Sequence, residues 1–206
     1  MNLRSLVFLI VLVVTLGLAG PTRAQNVFNF YLYQDGSNVV ATGSGIIDLT
    51  DLTYAASNPS DSAIFPIAAD ILVGPDTEPS VSLYEGLTGR ASFGPGFTTI
   101  STSGTGDSAG VSGSSTDGIV DVPEGYISGS FLSGTATWDD ATLSSLGVTS
   151  GTYTWTYGSG VDAGTINFYA GVSPVPEPSQ YGLFVFLAVT GFIVWRRFTA
   201  RVIVTV

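Results

Sequence analysis

The sequence predicts an all-β protein whose body is a single β-sandwich, with a jelly roll as one form of it. Short stretches alternate apolar and polar residues, which is typical of strands with one buried face. Turn signals rich in Gly, Pro, Asn and Asp recur about every 8 to 12 residues, the spacing of sandwich strands. The chain contains 26 glycines and 10 prolines, and only one short stretch of the body has helical character.

The first strands are predicted as a hairpin. Residues 26–34 alternate with aromatic side chains on both faces, and residues 39–48 resume the alternation. The intervening residues 35–38 read Asp-Gly-Ser-Asn, a cluster typical of turns. Gly43 and Gly45 in the second strand indicate a bulge or bend.

The rest of the body follows the same pattern. Further strands are predicted over residues 69–73, 80–87, 97–103, 118–122, 126–138, 152–157 and 165–170. Residues 104–118 are mostly Gly, Ser, Thr and Asp, so we expect a mobile loop or flat edge strands there. Residues 139–147 predict one or two helical turns, with an Asp as N-cap and Gly147 at the end.

The N-terminal residues 1–24 have the three regions of a secretory signal peptide. Arg4 supplies a basic start, residues 6–18 are almost wholly apolar, and a short segment of small and polar residues follows. We predict cleavage between Ala24 and Gln25. Cleavage after Ala19 is one alternative, and an uncleaved N-terminal anchor is another.

The body, residues 25–173, is long enough for one domain with its own core. The chain contains no cysteine, so the domain is predicted to fold without disulfides. All but one of the 16 acidic residues of the chain lie in the body, against the single base Arg90. Such an acidic surface repels nucleic acid and anionic lipid, so no nucleic-acid partner is expected.

The C-terminal segment predicts a membrane span. A helix over residues 180–195 would be roughly 24 Å long at about 1.5 Å per residue, slightly less than a hydrocarbon core of about 30 Å. Tyr181 and Trp195 occupy its two ends, where interfacial aromatics occur. Arg196, Arg197 and Arg201 follow, and arginines retained on the cytoplasmic side place the body outside. The alternative is a short buried helix of a soluble protein.

A stiff hinge precedes this span. Pro176 and Pro178 restrict φ and favour extended geometry in the residues before them. The tail therefore resembles the PEP-CTERM sorting signal of bacterial proteins processed by exosortase, since hinge, short apolar helix and Arg pair occur in that order. The matching motif residues are Val175, Pro176, Glu177, Pro178 and Ser179, with Arg196 and Arg197 as the membrane stop. The sorting signal spans residues 174–201.

The resemblance implies export, retention in the inner membrane with the C-terminus in the cytoplasm, and cutting near the Pro-Glu-Pro motif. It implies exosortase as a partner, beside signal peptidase and the secretion machinery, and a final place at the cell surface or in an extracellular matrix, often of biofilm and exopolysaccharide producers. Residues 198–206 depart from the family pattern, because most members end soon after the arginines. The short tail 202–206 is not explained by the motif.

The composition excludes several kinds of catalysis. Without His, Cys or Lys, the chain has no Ser-His-Asp or Cys-His arrangement, no Schiff base and no P-loop lysine. Paired carboxylates as in a glycoside hydrolase remain chemically feasible. The candidates are Glu78, Glu85, Glu124, Asp139 and Asp140. Their spacing selects no pair, so we expect a protein without catalysis and without a cofactor.

Two binding sites are weaker alternatives. Loop carboxylates suit Ca²⁺, and the candidates are Asp48, Asp51, Asp139 and Asp140, although the last two are also placed to cap the short helix. A stripe of Tyr153, Trp155 and Tyr157 on one strand face would stack sugars of an exopolysaccharide if it were exposed. Because a sandwich buries one face of each strand, the same spacing also fits the core.

The sequence thus predicts an exported, exosortase-processed surface or matrix protein. A carbohydrate-binding module and a carboxylate-dependent glycosidase are the alternatives.

Overall fold

The computed structural model describes residues 26–174. The predicted signal peptide, cleavage site, sorting motif and membrane span lie outside these residues. A boundary between Val172 and Ser173 separates two compact units, and the described part of the first forms the fold below. No helix within residues 26–174 has the length and apolar character needed to cross a membrane.

The described residues form thirteen strands and one 3₁₀ turn, which confirms the all-β prediction. The elements in chain order are β1 (Val27–Asp35), β2 (Asn38–Ile46), β3 (Thr53–Pro59), β4 (Ala63–Phe65), the 3₁₀ turn η1 (Pro66–Ala68), β5 (Asp70–Val73), β6 (Ser80–Leu87), β7 (Thr99–Ile100), β8 (Ser103–Gly106), β9 (Ala109–Ser112), β10 (Gly118–Pro123), β11 (Phe131–Trp138), β12 (Gly151–Tyr157) and β13 (Gly164–Ala170).

These strands make two sheets that share one core. The six-stranded sheet has the order β12-β13-β1-β2-β11-β8, and the seven-stranded sheet has the order β3-β6-β10-β9-β5-β4-β7. Apolar side chains of both sheets meet between them, as in a β-sandwich. The core includes Phe28, Phe168 and Trp155 from the first sheet and Ile71 and Val120 from the second, each fully buried.

The predicted hairpin is confirmed. β1 pairs antiparallel with β2 from Phe28–Gly45 to Asp35–Asn38, around a two-residue turn at Gly36 and Ser37. Of the bulge or bend expected at Gly43 and Gly45, the bulge is wrong, because the pairing continues through both residues without a register shift, while Gly45 has a positive φ of 146°. Gly43 instead allows close packing, since a Cβ there would lie 2.9 Å from Val73 Cγ2 in the opposite sheet.

The prediction of a mobile loop or flat edge strands over residues 104–118 is wrong for β9. β8 does lie at an edge of the six-stranded sheet, but β9 is an interior strand of the seven-stranded sheet, between β10 and β5. Ala109 and Val111 face the core and are fully buried. The residues of β9 are small because the neighbouring strands β5 and β10 lie close to it. Their small size made the segment resemble a loop.

Several boundaries also differ from prediction. β3 and β4 were not predicted, because they alternate weakly. The long strand expected over residues 126–138 begins only at Phe131, because Gly125 and Gly129 adopt positive φ values of 78° and 77° and form turns. The predicted strand over residues 97–103 is reduced to the two residues of β7.

The helix predicted over residues 139–147 is wrong, since these residues form turns. Thr142 rather than an aspartate caps them, because Ser145 N donates to Thr142 Oγ1 at 3.0 Å and Thr142 N donates to Ser145 Oγ at 2.8 Å. Gly147 does end the segment in a left-handed conformation, with φ of 67°.

Candidate functional site

Two aspartates with raised pKa values, Asp70 and Asp121, lie on the outward face of the seven-stranded sheet. Successive side chains of a strand point to opposite faces. In β5, Ile71 and Val73 belong to the core, so Asp70 and Leu72 lie on the outward face. In β10, Val120 and Val122 belong to the core, so Asp121 lies on the outward face.

Strand β9 brings the two carboxylates into one site. Asp70 is in register with Ser112 on β9, while Asp121 is in register with Gly110. The aspartates therefore lie two strands apart and diagonally, with Cα atoms roughly 12 Å apart from strand spacing and rise. Their side chains face the space above β9, where Gly110 has no side chain.

Gly110 forms the floor between the carboxylates. A Cβ atom at this position would lie 2.9 Å from Asp121 Oδ2, 2.8 Å from Leu72 Cδ1 and 2.9 Å from the Ile71 carbonyl oxygen. These contacts show that the Asp121 carboxyl group extends over the glycine. The interior strand thus uses its smallest residue to make room for a charged group.

The carboxylates line an open groove with a volume of about 310 Å³, which is within the size range of small-ligand sites. Leu72, Leu83 and Ile119 supply aliphatic walls. Asn58 and Asp61 add polar groups from β3 and the following loop. The groove therefore combines an apolar lining with a few polar groups, as ligand sites usually do.

Burial shifts both carboxyl groups toward the neutral form. Burial, together with the nearby charge of Asp70, raises the pKa of Asp121 to about 7. Burial raises the pKa of Asp70 to about 6, although a hydrogen bond from Ser112 opposes the shift. Arg90, the one basic residue among residues 26–174, does not line the groove.

The aromatic stripe proposed for sugar stacking belongs to the core. Trp155 and Tyr157 are 0% and 4% exposed, and Tyr153 packs against core residues Phe93 and Phe168. The three side chains share the face of β12 that packs on the core, with Tyr153 partly buried at its margin. The basis for sugar stacking there is lost, and the alternative core interpretation is correct.

Two of the calcium candidates, Asp48 and Asp51, accept hydrogen bonds from nearby loops. Asp48 Oδ1 accepts hydrogen bonds from Thr50 N and Ser128 Oγ at 2.9 and 3.0 Å, and Asp51 Oδ2 accepts one from Ser159 N at 2.9 Å. No group of three potential metal ligands among His, Cys, Asp and Glu occurs within residues 26–174. Asp139 and Asp140 lie in an exposed turn, and they do not cap a helix.

None of the five predicted glycosidase carboxylates lines the groove. Glu78, Glu124, Asp139 and Asp140 are exposed in loops or turns. Glu85 lies on the outward face of β6, in register with Ile119.

The carboxylates that do line the groove are Asp61, Asp70 and Asp121, which sequence reasoning missed. The available signal was a single aspartate within an apolar strand, as in Ile119-Val120-Asp121-Val122.

Comparison with protein-family models, with curated proteins and with solved structures found no match for this chain. The site is therefore interpreted from its own geometry.

The glycine floor leads to a testable prediction. Gly110→Ala should lower the free energy of unfolding by about 1–3 kcal/mol. The new methyl group would lie 2.9 Å from the Ile71 carbonyl oxygen, which the sheet holds in place, and would also displace the side chains of Leu72 and Asp121. Gly151→Ala in the edge strand β12, where a Cβ would lie 3.6 Å from its nearest neighbour, is the control and should change stability by less than about 1 kcal/mol. Urea denaturation of both variants measures the difference, and equal stabilities would show that the floor is not closely packed.

Proposed function

We propose that this protein is exported and acts without catalysis at the cell surface or in an extracellular matrix, as a single β-sandwich ectodomain. The observation that carries the proposal is the order of motifs: a signal peptide over residues 1–24, then an acidic body, then the PEP-CTERM-like tail. Before processing, the span over residues 180–195 retains the protein in the inner membrane, with Arg196 and Arg197 on the cytoplasmic side. Exosortase then cuts near residues 175–179.

The ectodomain has properties suited to life outside the cell. It has no cysteine that could be oxidised, and within residues 26–174 every fully buried side-chain nitrogen or oxygen has a hydrogen-bond partner. Such a domain is expected to fold without disulfides or a metal. These features support the proposal.

Processing gives the direct test. In exosortase-competent cells, mass spectrometry should find a mature protein that begins at Gln25 and ends near the Pro-Glu-Pro motif. The double variant Pro176→Ala/Pro178→Ala should accumulate with its C-terminal arginines, because the extended hinge that the peptidase cuts is lost.

The same chain in cells that lack exosortase is the control and should also remain uncut. Wild-type protein that still contains Trp195 and the arginines in competent cells would contradict processing. The same spectrum locates the N-terminal cut and separates Ala24 from the alternative Ala19.

A carboxylate-dependent glycosidase is a second candidate, because Asp70 and Asp121 share a groove and differ in proton affinity. In this reaction Asp121 would give its proton to the glycosidic oxygen as the C1–O bond breaks. Asp70 would accept a proton from the water that bonds to C1, so that one water is consumed per bond.

Release of reducing ends from polysaccharide by the full chain, lost in Asp121→Asn and Asp70→Asn, would favour this candidate over the non-catalytic role. Retention of intact polysaccharide in a pull-down, without release of reducing ends, would favour an exopolysaccharide-binding module.

A further inference from the structure

The groove contains carboxyl groups that no basic side chain among residues 26–174 neutralises. Asp121 accepts no hydrogen bond from the described residues, although its side chain is partly buried and lines the groove. Asp70 has only the Ser112 hydroxyl. Buried charges are normally paired because an isolated one is expensive to desolvate. Two partly buried carboxyl groups without a basic neighbour are therefore a favourable place for a cationic ligand, which would replace the proton that each group otherwise binds.

The surrounding groups add to the negative field. Asp61 lines the same groove, and Glu85 lies on the outward face of the adjacent strand β6. With Asp70 and Asp121, these are the charged groups that face the site from β5, β6, β10 and the loop after β3. An anionic ligand would be repelled here, and a neutral one would leave the repulsion between the aspartates in place.

The arrangement of carboxylates and aliphatic side chains in the groove distinguishes a divalent metal ion from an organic cation. A divalent metal prefers several oxygen ligands gathered at one point, but no cluster of three candidate ligands exists in the described part of the chain. The two carboxylates instead lie apart across Gly110, between the aliphatic side chains of Leu72, Leu83 and Ile119. This combination fits a charged head with several donors attached to a compact, partly apolar stem.

We propose that the groove binds a primary ammonium group on a short aliphatic or sugar stem, with Asp70 and Asp121 as its carboxylate partners. An –NH₃⁺ group has three donors and can bridge two carboxylates, while its stem packs on the aliphatic walls. Two sources share this chemistry: a diamine or lysine side chain, and a sugar with a free amino group.

The proposal concerns the groove alone and does not rest on processing of the tail. A failed binding experiment would therefore leave the proposed processing of the tail intact, and a mass spectrum without processing would leave the groove proposal intact. Protons compete with the ammonium group for the same two carboxylates, so affinity is expected to be highest near pH 8 and to weaken as the pH falls through about 7 to 5.

Isothermal titration calorimetry on the full chain in a nonionic detergent tests the proposal. The ligands are 1,5-diaminopentane, a glucosamine oligomer, the matched N-acetylglucosamine oligomer and CaCl₂, each at pH 8 and pH 5. Binding of 1,5-diaminopentane or of the glucosamine oligomer at pH 8, at least about 10-fold weaker at pH 5, supports the proposal and identifies the source of the ammonium group.

Matched variants separate the groove from general charge effects. Asp121→Asn keeps the shape and should weaken ammonium binding at least about 10-fold, equivalent to about 1.4 kcal/mol. Glu124→Gln removes the same charge from an exposed turn and should change affinity less than about twofold, because exposed charges are screened. No ammonium binding, equal binding of the N-acetylated oligomer, tighter binding of calcium, or equal losses in both variants would overturn the proposal.

Discussion

Replacing Asp121 with Asn is expected to stabilise the protein at pH 8 by roughly 2 kcal/mol, about half of what the full pKa shift would give, because solvent in the open groove screens the charge. Burial and the charge of Asp70 raise the pKa of Asp121 to about 7 in the folded state, from an ordinary value of 3.8. The folded state therefore binds a proton more tightly than the unfolded chain. The associated stability is fully present below about pH 4 and is lost as the pH rises through about 7.

Asp70 acts in the same direction over a slightly lower range, since its pKa is raised to about 6. The free energy of unfolding of the wild-type protein should thus fall by roughly 2–4 kcal/mol between pH 4.5 and pH 8, after allowance for solvent near the groove. Asp121→Asn should remove much of this fall, because the amide carries no charge at either pH.

Urea denaturation at half-unit pH intervals measures the effect. Glu124→Gln is the matched control, because Glu124 lies exposed in a turn and its replacement should leave the pH profile unchanged. If Asp121→Asn were less stable than wild type at pH 8 and equally dependent on pH, Asp121 would have a charged partner and the groove would be misinterpreted.

Trp155→Ala is expected to lower the free energy of unfolding by about 3–5 kcal/mol, the range for loss of a large buried aromatic. Trp155 is fully buried, and its indole Nε1 donates a 2.8 Å hydrogen bond to the Arg90 carbonyl oxygen. The substitution leaves a cavity between the sheets and an unpaired carbonyl group. Thermal and urea denaturation should both show the loss.

Two further variants separate the contributions. Trp155→Phe keeps most of the apolar contact but loses the indole donor, so an intermediate loss is expected. Phe97→Ala removes a side chain that is 75% exposed, so little change is expected. A stable Trp155→Ala protein that had lost polysaccharide binding would instead support the sugar-stacking role.

Strands with strong alternation could be predicted from the sequence. The aromatic and aliphatic side chains of Phe28, Phe30 and Leu32 recur at every second position, and all three are fully buried. The hairpin after them was predictable because its turn residues follow the strand at once. Such strands and turns can be recognised within a few residues of sequence, without knowledge of distant contacts.

Strand β9 could not be predicted, for a physical reason. Its outward positions hold Gly110 and Ser112, and the flanking residues are equally small, so the segment lacks the bulky side chains that signal a strand. Its interior place depends on pairing with β5 and β10, which are distant in the chain. Composition alone therefore favoured a loop.

The site was missed for the same reason. Asp70 and Asp121 each look like an ordinary outward-facing residue of a half-buried strand, and their proximity arises only once β9 lies between their strands. The turn aspartates seemed better candidates because they were clustered in sequence, but Asp139 and Asp140 are exposed. The sorting motif in the tail lies outside the described residues and stays a prediction.

The most direct test of the groove is a measurement of the two carboxyl pKa values by ¹³C NMR titration of the labelled protein, without ligand, between pH 3 and pH 9. We expect a pKa of about 7 for Asp121 and about 6 for Asp70, each well above the ordinary value of 3.8. Asp70→Asn is expected to lower the pKa of Asp121, because a neighbouring negative charge is removed. Titration of both groups below pH 4 would contradict the presence in this groove of two partly buried carboxyl groups that lack a cationic partner.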